Sequence, residues 1–519
     1  MKRKILALAV LSGFFSAANA TDLLEVYQQA LSSDPIYQQA LSQRLFTKEG
    51  VPISAAALLP NVSLAVVPSI TRTANSGAQT AGIAALTPRN NTARAYTVTL
   101  TATQTIFNYT QFTTVAGAVA LSKGADAILN AALQDLMIRV STAYFAVLND
   151  EDNLSYTEAS KVAYAEQLDQ VKQQYNVGLK TITDVYTAQA AYDSAVATYI
   201  QAQTTLANDK ENLRVITGKY YPNLSSLSES FPLVRPKPMN VETWVQLAQC
   251  QNWNVKSNRY NVDNALQVVR QNFGGHLPTV TLQGIMDRLY TNNISSNRNL
   301  DVRTGPSMTT NREVAFNINV PIFEGGGVVA ATNQAVYGFQ IAQQTLEQVV
   351  RNTINATRQS YLNVISGISQ ISADREAIKS SISSLEGMEE SYRVGTETLV
   401  DVLNQQQKVY EAQTQYANDR YGFVKNVLLL KQAAGTLSFD DLRAINAWLI
   451  EKEHVHIRKK RYPVYTFKTP TSKKHLAQVS HKKIDAKTTA KQMVATNKKV
   501  KKQVIAKKSI TKKILLTKK

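Results

Sequence analysis

The chain contains few of the side chains that enzymes and metal sites use. Of its 519 residues one is cysteine, Cys250, and five are histidine. A single cysteine excludes a disulfide within the chain and argues against a thiolate metal site. Four of the histidines lie after residue 450, which leaves His276 alone in the body. Without a nucleophile elbow or a phosphate-binding loop, the sequence predicts a non-enzymatic protein with no cofactor and no metal centre.

Long hydrophobic runs are also missing. Lys2-Arg3-Lys4, an apolar run over residues 5–15 and Ala18-Asn19-Ala20 predict a signal peptide over residues 1–20. This run is too short to anchor the chain in a bilayer. No later stretch reaches about 18 uninterrupted apolar residues, so the sequence predicts no transmembrane helix. A membrane crossing would then require a β-barrel, the other structure that satisfies its own backbone in lipid.

The body of the chain lacks net charge. The formal charge is +19, but residues 451–519 contain 22 Lys and Arg against 3 Asp and Glu, and the remainder holds 35 of each sign. These 69 residues therefore read as a basic and disordered C-terminal tail. Beyond the inner membrane its acidic partners would be peptidoglycan carboxylates, lipid phosphates or lipopolysaccharide. Nucleic acid is not an expected partner in that compartment.

The sequence contains a long internal repeat. Residues 175–185 return as residues 392–402, displaced by 217 positions, and the same displacement carries Tyr144 to Tyr361 and Gly218 to Gly435. A period this long exceeds any solenoid repeat. It indicates a tandem duplication, with a first repeat over residues 21–235 and a second over residues 236–450.

Each repeat shows the pattern of a helix, two strands and a long helical hairpin. Residues 22–48 read as helical. Apolar residues then alternate with Ser, Thr, Asn and Gln after Pro60 and again after Pro278, which predicts four strands of roughly 10 to 14 residues in two hairpins. The polar stretches 76–91 and 292–311 read as the hairpin loops. Four strands are too few to close a membrane barrel, whose smallest versions need about eight. Either the hairpins rest on a soluble core, or several chains share one barrel.

Proline is absent from two long spans, residues 108–221 and 322–462. Within the first span, Leu133, Met137, Val140, Tyr144 and Val147 are spaced by 4, 3, 4 and 3, which is typical of a coiled-coil seam. Residues 108–174 would form a helix of about 100 Å at 1.5 Å per residue. Small residues in 185–206 favour a closely packed partner helix. Helices this long suit the wall of a tube better than a globule.

Several motifs resemble the TolC family of trimeric outer-membrane efflux ducts. They are the duplicated Tyr-x-Val-Gly-x-x-Thr-x-x-Asp-Val motif, the paired Leu-Pro strand starts and the run Ile322-Phe323-Glu324-Gly325-Gly326. The resemblance covers about residues 21–449. It implies an α+β membrane protein in which three chains contribute four strands each to one twelve-stranded outer-membrane barrel, continued by a periplasmic α-helical barrel.

The resemblance also implies a function. Such ducts are the exit channels of tripartite drug-efflux pumps and of type I protein secretion. They contact outer-membrane lipid and dock with a periplasmic adaptor protein and an inner-membrane transporter of the RND or ABC type. The implied location is the outer membrane of a Gram-negative bacterium, extending into the periplasm.

The duplicated motif has two interpretations. Thr181 with Asp184, and Thr398 with Asp401, fit a capping box that begins a helix after the helix-breaking glycines Gly178 and Gly395. By resemblance, the same turns line a periplasmic entrance where Asp401 forms a ring of three carboxylates. Mutual repulsion in such a ring would raise their proton affinity and attract multivalent cations. A capping aspartate can also face the pore, so both interpretations can hold.

The resemblance further assigns links that hold the entrance shut. The matching positions are Gln167, Thr183, Asp184, Glu389 and Tyr392. Two positions depart from the family pattern, because Glu397 replaces an arginine and Asn404 replaces a second aspartate ring. We expect Lys180 or Arg393 to supply the missing cation.

Three other classes of protein remain as alternatives. A trimeric adhesin combines a coiled-coil stalk with a shared barrel, but its anchor consists of consecutive strands at the C-terminus. A secreted enzyme conflicts with the scarcity of His and Cys. A soluble coiled-coil scaffold would not explain the paired Leu-Pro hairpins.

Overall fold

The computed structural model describes residues 20–74, 90–297 and 300–450 of the chain. The predicted signal peptide and the basic tail lie outside these residues, apart from Ala20. The elements in chain order are α1 (Leu23–Ser33), α2 (Pro35–Ala56), β1 (Asn61–Ala74), β2 (Asn90–Phe107), α3 (Tyr109–Asn176), α4 (Ile182–Thr217), β3 (Ser226–Leu227), α5 (Val241–Gln251), α6 (Trp253–Phe273), a 3-10 turn (Gly274–His276), β4 (Thr279–Asn297), β5 (Leu300–Asn319), α7 (Gly327–Val394), α8 (Leu399–Ala433), α9 (Phe439–Asn446) and β6 (Leu449–Ile450).

The N-terminal helical stretch is two helices and not one. Asp34 ends α1 and caps α2, where its carboxylate accepts a hydrogen bond from the Tyr37 backbone N–H at 2.8 Å, and Pro35 occupies the first helical position. Asp34 is almost fully buried and binds the Arg139 guanidinium through both oxygens, at 2.9 and 2.8 Å. This ion pair holds the pKa of Asp34 below its usual value. The junction is therefore attached to α3.

The four long strands form one antiparallel sheet in the order β1-β2-β4-β5. They contain 14, 18, 19 and 20 residues, so the predicted lengths were too short for three of them. The sheet is open, which leaves β1 and β5 as edge strands.

The loop predicted over residues 292–311 is wrong. β4 continues to Asn297 and β5 starts at Leu300, so these polar residues pair across the hairpin. The ladder persists because its hydrogen bonds come from the backbone and need no apolar side chains. Of the other predicted loop, residues 76–89 lie outside the described residues, while Asn90 and Asn91 belong to β2.

The long helices form two antiparallel hairpins, α3 with α4 and α7 with α8. α3 and α7 each contain 68 residues, about 100 Å of helix. The predicted seam on α3 is confirmed at Met137, Val140, Tyr144 and Val147, which are buried. On α4, Ala188, Ala195 and Ala202 are buried at intervals of seven. Small side chains at this spacing allow the two helix backbones to approach closely.

The two halves of the described chain use the same devices at corresponding positions. Gly218 ends α4 and Gly435 follows α8, both with positive φ, 69° and 74°. The Tyr144 hydroxyl donates to the Ser225 carbonyl at 2.8 Å, and the Tyr361 hydroxyl donates to the Met239 carbonyl. Each tyrosine thus attaches a long helix to the segment that joins α4 to α5.

One helix of the described part, α3, is long and apolar enough to cross a membrane by length and composition alone. No such helix was predicted from the sequence, because α3 contains no uninterrupted run of about 18 apolar residues. The most apolar window has a mean hydropathy of 1.2, and a third of it is buried within the protein. Core helices of soluble proteins meet the same criterion.

We expect Gly435→Ala to destabilise the protein by about 2–4 kcal/mol. A Cβ at this position would lie 2.5 Å from the backbone carbonyl of Gln251, and the left-handed backbone disfavours any other residue. Gly387→Ala is the matched control, since Gly387 is helical with nothing within 4 Å of the added atom. The control should raise stability by about 0.5–1 kcal/mol. Thermal unfolding followed by circular dichroism would show the opposite signs, and equal shifts would contradict the expectation.

Candidate functional site

The two hairpin tips are short turns that begin with a left-handed glycine. Gly178 has φ 78° and Gly395 has φ 85°. In the second tip, the backbone N–H groups of Gly395 and Thr396 bond the carbonyls of Tyr392 and Ser391, at 3.1 and 3.0 Å. These bonds satisfy the last carbonyls of the incoming helix and reverse the chain. Both glycines were predicted as helix breaks; α3 ends two residues before Gly178, and α7 ends at the residue before Gly395.

A reciprocal capping box begins the outgoing helix at each tip. The Thr181 N–H donates to the Asp184 carboxylate at 3.0 Å, and the Asp184 N–H donates to the Thr181 hydroxyl at 3.2 Å. Thr398 and Asp401 form the same pair at 3.2 and 3.3 Å. The capping-box interpretation of the duplicated motif is therefore confirmed. It does not prevent either aspartate from facing a pore.

Capping favours the charged form of both aspartates. The pKa of Asp401 is lowered first by the Thr398 hydroxyl and then by its backbone N–H. The pKa of Asp184 is lowered by the Thr181 backbone N–H, and the charge of Lys180 contributes. Within one chain the pKa of Asp401 is thus shifted opposite to the rise expected from a ring of three carboxylates. That rise would require two further chains.

The two cations expected near the tip have different partners. The Lys180 ammonium lies 4.1 Å from the centre of the Tyr392 ring, a cation–π contact that joins the first tip to α7. Arg393 forms an ion pair with Glu390, one turn earlier on α7.

The remaining predicted gate residues differ in their exposure. Gln167 and Glu389 are half-buried, Tyr392 is buried, and Thr183, Glu397 and Asn404 are exposed. Glu397 interacts with the Asp401 side chain. The Tyr392 hydroxyl oxygen has no hydrogen-bond partner among the described residues.

A hydrophobic cluster supports the tips. It brings all four long helices together, and the Tyr164 hydroxyl on α3 donates to the Leu403 carbonyl on α8 at 3.3 Å. Its buried members are Tyr164, Leu168, Val171, Ala188, Ala195, Leu385, Tyr392, Leu399, Val402, Leu403 and Val409. The tips are therefore the packed ends of the two hairpins, joined by one hydrophobic cluster.

Two buried carboxyl groups on the long helices were not predicted from the sequence. Burial, with Asp209 of α4 as a neighbour, raises the pKa of Asp150 on α3 to about 6. Burial beside Asp419 of α8 likewise raises the pKa of Asp374 on α7 to about 6. One oxygen of each buried carboxyl has no hydrogen-bond partner among the described residues. The members of each pair are far apart along the chain, so no local motif signals them.

Comparison with known sequences identifies relatives over most of the chain. Residues 26–219 and, separately, residues 244–436 match the outer membrane efflux protein family. Outer membrane protein TolC of Escherichia coli strain K12 is 36% identical over 441 residues, covering 84% of this chain and 86% of TolC. TolC of Vibrio cholerae is 33% identical, covering 85% and 97%. The alkaline protease secretion protein AprF of Pseudomonas aeruginosa is 27% identical, covering 84% and 89%.

Solved structures agree on the fold. The Campylobacter jejuni CmeC outer membrane channel superimposes with a TM-score of 0.67 at 17% identity, covering 82% of this chain and 89% of CmeC. The Vibrio cholerae outer membrane protein VceC gives 0.65 at 18% identity, covering 80% and 96%. None of these relatives supports the adhesin alternative. The two family matches and the identity to TolC over most of both chains show that this chain belongs to the outer membrane efflux protein family.

Proposed function

We propose that three copies of this chain form an outer-membrane exit duct in which their sheets close one twelve-stranded barrel. The open sheet carries this proposal. Its edge strands β1 and β5 have 14 and 20 residues, and each presents a row of unpaired backbone groups. In lipid such groups must be satisfied by pairing, since no water is available. Pairing β5 of one chain with β1 of the next would satisfy both edges.

The two faces of the sheet support the same assembly. On one face the register aligns Leu64 with Leu100 and Met286, and Val66 with Val98. On the other it aligns Thr101 with Ser63, and Asn317 bonds Gln283 at 3.3 Å. This alternation matches a lipid-facing exterior and a water-facing lumen. We call the first face the apolar face.

The helical hairpins would continue the duct into the periplasm. β1 follows α2 and β2 leads into α3, so the helices meet the sheet at one end. Six hairpins from three chains would form an α-helical barrel that ends at the tips. A gate there would place Asp401 toward the axis, with Asn404 one turn beyond. Tyr392, whose ring contacts Lys180, would take part in the links between neighbouring helices.

We infer the cargo and partners from the relatives. Their names include a protease secretion protein and an antibiotic efflux pump outer membrane protein. A duct that serves both tasks would work with a periplasmic adaptor and an inner-membrane transporter of the RND or ABC type. Residues 451–519 would contact peptidoglycan through their positive charge. The duct itself would hydrolyse nothing.

The assembly is tested by mass and by conductance. We expect the purified protein to have three times the mass of one chain by native mass spectrometry, and to form ion-conducting channels in planar bilayers. A folded protein that stays monomeric, or trimers without conductance, would contradict the duct.

We expect the Asp401→Ala variant to lose the block of conductance by multivalent cations, because it removes the carboxylate nearest the proposed axis. Asp193→Ala is the control and should retain the block, since it removes an exposed carboxylate of α4 outside the predicted gate, bonded by Gln189 at 2.9 Å. Asn404→Asp should strengthen the block by adding a second ring. Single-channel titrations with a trivalent hexammine complex would measure all three. Equal block in wild type and Asp401→Ala would leave Asp401 as a capping residue.

Removing both Lys180 and Arg393 should raise the single-channel conductance, because the cation that holds the tips would be lost. Lys172→Ala is the control, since Lys172 is exposed near the same tip and contacts Gln189 at 3.4 Å. Unchanged conductance in the K180A/R393A double variant would exclude both residues as the substitute for the family arginine.

A further inference from the structure

We propose that the sheet carries a row of four arginines that binds the phosphate groups of lipopolysaccharide in the outer leaflet. The row contains one residue from each long strand, and all four are exposed: Arg72, Arg94, Arg288 and Arg312. This proposal rests on the outer-membrane barrel proposed above, because it assigns a ligand to the exterior of that barrel.

The strand register places the four side chains on one face. Arg72 is opposite Thr92, two residues from Arg94. Arg94 is opposite Asn292, four residues from Arg288. Side chains alternate between faces along a strand, so even separations keep these arginines together.

The last member of the row follows from the same rule. Arg288 is opposite Thr310, two residues from Arg312. Arg312 is itself opposite Met286, which belongs to the apolar face. All four arginines therefore lie on the face proposed to contact lipid.

Each arginine occupies the same place relative to the apolar residues of its strand. Along each strand, in the direction away from the helices, this face carries a run of apolar residues. The arginine occupies the next position on the same face after that run. The pairs are Ile70 and Arg72, Tyr96 and Arg94, Met286 and Arg288, and Val314 and Arg312. Beyond Arg72 and Arg94 this face continues with small or polar residues, whereas Tyr290 and Met308 lie beyond Arg288 and Arg312 on the same face.

The row runs diagonally across the sheet. From β1 to β5 it steps toward the helical end by two, four and two residues, always in the same direction. Strands of a closed barrel tilt by about 35–45° from its axis, so positions of equal height are staggered between neighbouring strands. Such a tilt shifts positions of equal height by about one to one and a half residues per strand, so it accounts for part of this diagonal.

The described side chains of the sheet offer these arginines no carboxylate partner on their own face. Asp287 and Glu313 are the carboxylates of the described side chains in the sheet, and their register puts both on the opposite face. An arginine at the middle of the lipid is costly, whereas one at the interface is tolerated. Tyr96 and Tyr290 stack on the apolar face with ring centres 4.4 Å apart, beside Arg94 and Arg288. Tyrosine is typical of that interface.

The position of the row indicates which leaflet of the membrane the arginines contact. The arginines lie beyond the apolar runs on the side away from the helices, which extend into the periplasm. The lipid headgroups at this height belong to the outer leaflet, where the anionic groups are lipopolysaccharide phosphates. Guanidinium groups match phosphate oxygens with two parallel hydrogen bonds.

The test uses the full-length protein in detergent, with lipid A carrying its two phosphates and with dephosphorylated lipid A as probes. Native mass spectrometry would count the lipid A bound per protein. We expect wild type to prefer the phosphorylated lipid by about tenfold or more, since several charge-assisted contacts contribute. The R72Q/R94Q/R288Q/R312Q variant should lose this preference.

The matched control replaces four exposed helix arginines, as R214Q/R351Q/R358Q/R443Q, and should bind like wild type. Equal binding of both lipids by wild type would overturn the proposal without any variant, and so would equal binding by wild type and the sheet variant. Conductance of the same preparations separates the two proposals. If wild type conducts but shows no preference for phosphorylated lipid A, only the proposal of the arginine row fails. If wild type does not conduct, the proposal of the duct fails.

Discussion

The hydrogen-bonding demand of the backbone is the constraint on which this architecture depends. A sheet of four strands with up to 20 residues each satisfies its interior ladders and leaves two long edges. In water, long exposed edges promote aggregation, and in lipid they are too costly to persist. Pairing these edges with other copies leaves no unpaired backbone groups, whether the surroundings are water or lipid. The proposed trimer is thus a consequence of too few strands in one chain.

In the helical part, hydrogen bonds within each helix satisfy the backbone. The remaining requirement is close packing between the helices. Helices of 68 residues remain regular because proline is absent from their spans, and small residues at intervals of seven let α4 approach α3. The hydrophobic cluster then joins both hairpins near the tips. Side chains at the tips can therefore be exposed while this cluster holds their backbone in place.

The tips show how one local motif acquires two environments. Both capping boxes form the same hydrogen bonds and lower the pKa of their aspartates. Lys180 follows the first glycine and reaches Tyr392, whereas the corresponding position of the second tip is Glu397, beside Asp401. The two tips therefore share the backbone design of the turn and differ in the charge of one side chain.

The sequence by itself determined the local features of this protein. Absence of proline, the spacing of apolar residues and the paired glycines predicted the long helices, their ends and the capping boxes, since each depends on residues within a turn of one another. The ends of β4 and β5 were mispredicted because backbone pairing continues through polar residues. Only the tertiary structure decided which distant groups meet. The contact of Lys180 with Tyr392, the burial of Asp150 and Asp374 and the alignment of four arginines depend on packing and strand register, which no local pattern encodes.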